Sequence, residues 1–171
     1  MQRDQGFDAT LAHFYEGPTD DLNYLEVWCY TDALSYEAGE RVNFHLNTTA
    51  KAIDLQIQRD GGIMESVHQS NAITGKHYST PGDFYEKGCD WPVGYSWTIP
   101  DDLASGFYLV TCTVENAEGE IREHEAGFFV RPKVGKPTAK ILLIAATSTW
   151  TAYNDWGGTS NYVGFGKELG L

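Results

Sequence analysis

A chain of 171 residues is long enough for one well-cored domain and something beyond it, and too short for two full-sized domains. Its formal charge of −12, from 24 Asp and Glu against 12 Lys and Arg, argues against a surface that follows phosphates, so neither nucleic acid nor an anionic membrane is an expected partner. With 42% hydrophobic and 13% aromatic residues, the composition is that of a folded protein with a real core, not a disordered or collagen-like chain.

Residues 1–24 read as an N-terminal extension. The first forty positions hold nine acidic residues and one basic residue, Arg3, which describes a solvated acidic face that favours solubility. The opening MQRDQGFDATLAHFYEG has no apolar signal core, and no run of 18 apolar residues occurs anywhere, so a cytoplasmic protein is expected. Cys29, Cys89 and Cys112 are odd in number and lack CxxC spacing; neither a disulfide framework nor a zinc site is signalled, and Cys29 and Cys112 read as small core residues.

From Leu25 the chain is a succession of short β-type runs between turns. LEVWCYT (25–31) leads into a turn-like SYEAGE; in RVNFHLN (41–47) Val42, Phe44 and Leu46 alternate with polar residues; IDLQIQRDGG (53–62) repeats the alternation and ends in an Asp-Gly turn. GYSWTIP (94–100), GFYLVTCTVEN (106–116) and REHEAGFFVRP (122–132) complete six or seven strands, the number an immunoglobulin-like β-sandwich over 25–132 requires. In DDLASGFYLVTC, Leu103 and Tyr108 flank a glycine turn as in a tyrosine corner, where a phenol ties a strand back to upstream backbone.

The polar stretch 64–95 reads as a long surface loop, a type of segment that commonly binds something or packs on a partner. Its His68, His77, Asp83, Glu86, Cys89 and Asp90 are metal-ligand types without ligand spacing, so a decorated loop is the better reading. His13, His45 and His124 read as surface or strand-face histidines. Trp91, Trp97, Tyr85 and Tyr95 offer an aromatic platform for a carbohydrate-type ligand if the chain is a binding module, although Trp97 sits within a strand.

RPKVGKPTAK (131–140) reads as an extended linker. The texture then changes: KILLIAATSTW is continuously apolar, which suits a strand covered on both faces in a parallel sheet better than its competitor, a buried helix. Residues 133–171 are thus expected to hold the linker, the first strand and the first loop of an incomplete α/β domain. Ligands collect beyond the carboxyl ends of such strands, where Trp150, Tyr153, Asn154, Asp155, Trp156 and Tyr162 fall. These rings either wall a small apolar pocket or simply pack between parts of the protein. Gly157 and Gly158 lack a nucleotide-loop pattern, and no GxSxG elbow is present.

The succession IPDDLASGFYLVTCTVEN, GFFVRP, AKILLIAATSTW and TAYNDWGGTSNY resembles the N,N-dimethylformamidase large-subunit family over residues 25–165, most specifically in FFVRP followed by AYNDWGG. The resemblance implies an amidohydrolase with sandwich domains ahead of an α/β catalytic domain, and a catalytic ferric iron held by two tyrosines and a glutamate. Tyr153 matches one tyrosine ligand; the other two ligands are expected beyond Leu171. A larger polypeptide is then the expected partner, completing the domain in a hetero- or homo-oligomer. The substrate is expected to be a small N-substituted amide, with Trp150, Asn154, Trp156 and Tyr162 as pocket residues. The alternative is a non-catalytic sandwich binding module.

Overall fold

A computed structural model describes residues 17–19, 21–136 and 139–154, without the side chains of Tyr85 and Glu86. The described residues divide into two compact units, one of residues 21–79 and 91–142, the other including residues 17–19, 80–90 and 143–154.

The larger unit is mainly β, in two sheets. β1 (Val27–Thr31), β3 (Arg41–Thr48) and β6 (Val93–Thr98) form an antiparallel sheet in the order β1-β3-β6. The second sheet has the order β2-β8-β7-β4-β5, from β2 (Ser35–Glu37), β4 (Ala52–Arg59), β5 (Glu65–Thr74), β7 (Gly106–Glu115) and β8 (Ile121–Arg131). All its pairings are antiparallel except the short parallel match of β2 with β8.

Alternation in the sequence decides which face of each strand is buried. Val42, Phe44 and Leu46 of β3, Ile53, Leu55 and Ile57 of β4, and Tyr108, Val110, Cys112 and Val114 of β7 all enter one core with Val27 and Cys29 of β1 and Phe128 and Val130 of β8. Cross-strand register stacks these residues, with Leu55 opposite Cys112, Ile57 opposite Val110 and Tyr108 opposite Phe128. Direct pairs of this kind are the unit of sheet stabilisation. The Tyr108 ring is fully buried and its hydroxyl donates to the Ala104 carbonyl at 2.5 Å, so the expected tyrosine corner is formed.

The chain leaves the first sheet for the second between β1 and β2, and Asp32 fixes the crossing. Its carboxylate accepts the Tyr36 hydroxyl at 2.5 Å, the Asn43 N–H at 3.1 Å and the Asn43 amide at 2.8 Å. Burial pushes the Asp32 carboxyl up, but these hydrogen bonds outweigh it and hold it below the usual range. Tyr36, anchored there, turns its ring edge-on to Phe128 in the core.

Two expectations are corrected. The stretch 64–95 is not one long loop: it contains β5, a short helix α1 (Phe84–Lys87) and the start of β6. The edge strand β5 sets only two hydrophobic residues, Val67 and Ile73, against the core, with register shifts at Ile53/Leu55 and Ile57/Gln58, so its sequence shows little alternation. The turn-like SYEAGE likewise contains β2. Among the described residues no helix is long and apolar enough to cross a membrane.

Candidate functional site

The segment expected to carry chemistry begins with the aliphatic run. Residues 141–146 belong to no strand in the chain, and Ile141, Leu142, Leu143 and Ile144 are between 81% and 87% exposed. The most continuously apolar stretch of the sequence is thus exposed. The segment after Ala146, expected as a loop, instead opens with helix α2 (Thr147–Tyr153). Ala and Trp tolerate a helix, and the Thr151 hydroxyl turns back to the Thr147 carbonyl at 3.1 Å, the local bond by which a threonine is accommodated in a helix.

Trp150 and Tyr153 lie three residues apart and therefore on one face of α2, 47% and 62% exposed. Asn154 is the exposed C-cap. Trp156 and Tyr162 lie outside the described residues. The helix has no side-chain N-cap and buries none of its residues. Seven residues with no side-chain N-cap and no fully buried residue make a marginal helix, so a surface to pack on would stabilise it considerably.

No group of three or more His, Cys, Asp or Glu side chains suited to a metal occurs among the described residues. Tyr153 offers one hard phenol oxygen, and a single donor does not hold an iron. Among the described residues the donors do not by themselves complete a metal centre.

Of the other aromatic candidates the Tyr85 side chain lies outside the described residues, and the remaining three are structural. Trp91 and Trp97 are 3% and 9% exposed, so they form no open carbohydrate platform, and Tyr95 packs partly buried against the core. Tyr30 stacks on His45 with centroids 4.6 Å apart, and the His45 Nδ1 lies 2.6 Å from the Trp91 carbonyl oxygen. Asn47, fully buried, grips the backbone of Tyr78 from both sides, donating to its carbonyl at 3.0 Å and accepting its N–H at 2.9 Å.

Two histidines join the sheets, a role the sequence does not advertise. His68 of β5 meets the Tyr95 hydroxyl of β6 at 2.8 Å and stacks on Trp97. On the other side His124 of β8 reaches β1, where its Nδ1 accepts the Cys29 N–H at 3.2 Å and its ring lies 5.0 Å from that of Trp28. Burial pushes His124 down to about 4, and burial also lowers His68. His124 is thus a neutral structural acceptor with its proton on Nε2, the strand-face histidine of the two expected kinds. Its place two and four residues before Ala126 and Phe128, on the core-facing side of β8, is the hint the sequence carries.

Comparison with known proteins assigns the chain. Residues 55–170 match the family described as N,N-dimethylformamidase beta subunit-like, C-terminal. The chain belongs to this family. The match runs from within β4 through β5, β6, β7 and β8 to the exposed aliphatic run and α2. The N,N-dimethylformamidase beta subunits of Paracoccus aminophilus and of an Alcaligenes species are each 40% identical to it over 65 residues, 38% of this chain. The chain covers 8% of the length of these relatives.

Proposed function

We propose that the chain is one part of an N,N-dimethylformamidase-like amidohydrolase, hydrolysing a small N-substituted amide to a carboxylate and an amine, in the cytoplasm. In this reading residues 25–132 are an immunoglobulin-like sandwich that serves as scaffold. Residues 133–171 supply the linker, the first strand and the α2 segment that follows it in an α/β domain that further polypeptide completes. The two-sheet strand order, the parallel match of β2 with β8 and the tyrosine corner support the sandwich assignment.

The observation that carries the proposal is the exposure of Ile141, Leu142, Leu143 and Ile144 within the family match. Burying four such side chains is worth about 1.5–3 kcal/mol each, a large driving force toward a partner surface. A neighbouring strand would also satisfy their backbone groups. Tyr153, one short helix further on, then contributes a phenolate to a ferric iron whose remaining ligands come from that partner. Trp150, Asn154, Trp156 and Tyr162 line the amide pocket, whose apolar walls suit a substrate lacking an N–H.

The test is metal analysis and visible spectroscopy of the chain purified with its partner, for the native sequence and for Tyr153→Phe. Iron in the native assembly, with its phenolate-to-iron absorption band weakened and shifted, or lost together with the iron, in the variant, supports the reading. An assembly without iron, or a variant with undiminished iron, band and activity, contradicts it. The alternative of a stand-alone binding module draws on one observation, the closure of the core within residues 25–130. A monomeric, fully ordered chain that takes no partner would favour that alternative.

A further inference from the structure

The two buried thiols of the core face each other across the sheets. Cys29 is on β1 of the three-stranded sheet and Cys112 is on β7 in the middle of the five-stranded one; they are 4% and 0% exposed and belong to the same core. His124 sets them side by side. It stands directly opposite Cys112 in the β7–β8 register, so the two side chains share a face, and its Nδ1 accepts the N–H of Cys29. The thiol of Cys29 shares a side-chain hydrogen bond with Cys112; that bond and burial push it well above its usual value. All three cysteines are free thiols.

We infer that Cys29 and Cys112 are a redox-responsive dithiol, which closes under oxidising conditions to a disulfide stapling the two sheets together. The oxidant is a small-molecule disulfide such as oxidised glutathione. The thiolate of Cys29 attacks one of its sulfurs, forming a mixed disulfide and releasing one thiolate. The thiolate of Cys112 then attacks the Cys29 sulfur, releasing the second. The two protein thiols lose two protons and two electrons, and the oxidant leaves as two thiols. Access comes through β1, an edge strand that among the described residues pairs with β3 alone and opens more readily than the centre of a sheet. A protonated, buried thiol makes the closure slow at neutral pH and faster under mildly alkaline conditions. The bond would close a loop between residues 29 and 112, long enough for a strong restriction of the unfolded chain.

The test uses the full chain, incubated at mildly alkaline pH in reduced or oxidised glutathione, denatured, alkylated and weighed. The expected oxidised product is lighter by two hydrogens before alkylation, keeps one alkylatable thiol of the original three, and yields a single cross-linked peptide joining Cys29 to Cys112. Its Tm rises by about 10 °C, a shift that reduction reverses. Cys112→Ala should show no such rise; if that variant does not fold, the peptide map of the native chain decides alone. Three alkylatable thiols after oxidation, a stable glutathione adduct without closure, or a link involving Cys89 or a second chain overturns the inference.

Discussion

Acidification should weaken the fold through His124. In the folded protein its Nδ1 accepts the Cys29 N–H, and protonation turns that acceptor into a second donor pointing at a donor. Burial lowers the group from 6.5 to about 4. The folded state therefore holds fewer protons than the unfolded chain between those values, so stability is full above pH 6.5 and falls as the pH drops toward 4. A shift of this size corresponds to about 3 kcal/mol over the whole window, of which about 2 kcal/mol falls between pH 6.5 and 5, before most carboxylates titrate. Urea unfolding of the native chain and of His124→Asn at closely spaced pH values reads this directly, because the asparagine oxygen can replace the acceptor but does not titrate. The native chain should lose stability across pH 6.5 to 5 while the variant stays nearly level. Parallel curves for the two proteins would refute the argument. His68, also lowered by burial but more exposed, adds a smaller slope of the same sign to both.

Tyr108→Phe removes the hydroxyl bound to the Ala104 carbonyl and should cost about 1–2 kcal/mol with an unchanged denaturant slope, measured by equilibrium unfolding. Phe128→Ala empties a fully buried site between Tyr36, Phe44 and Tyr108 and should cost about 3–5 kcal/mol in the same assay. At Gly75 a Cβ would lie 2.1 Å from the Ala50 carbonyl oxygen, so Gly75→Ala must shift backbone; a loss of about 1–3 kcal/mol is expected, seen as a lower Tm.

The strands that face the core were legible because burial imposes period-two alternation: Val42, Phe44 and Leu46, or Ile53, Leu55 and Ile57, leave no other reading. Strand β5 was hidden because an edge strand with only two hydrophobic residues, Val67 and Ile73, on the core carries no such pattern; the Asp-Gly turn before it was the available signal for a hairpin. The short β2 was hidden for a different reason, since its identity lies in one buried ring, Tyr36, held by Asp32 from four residues back. Helix α2 shows the limit of reading texture, because Thr, Ser, Trp and Tyr are mediocre helix formers, Ala152 is the one strong one, and no fully buried residue selects the conformation. The aliphatic run before it gave an unambiguous message about burial and none about what would supply it. Tyr153 was found from a motif resemblance; its surroundings in the described residues do not by themselves mark it as a ligand.

The claim on which the functional account turns is that residues 141–146 become a paired strand when the protein is assembled. Amide hydrogen exchange of that segment, in the isolated chain and in the assembly purified from its source, measures this most directly. The account predicts rapid exchange in the isolated chain, where the segment lies in no strand, and strong protection in the assembly, extending into α2. Equally rapid exchange in both would contradict it.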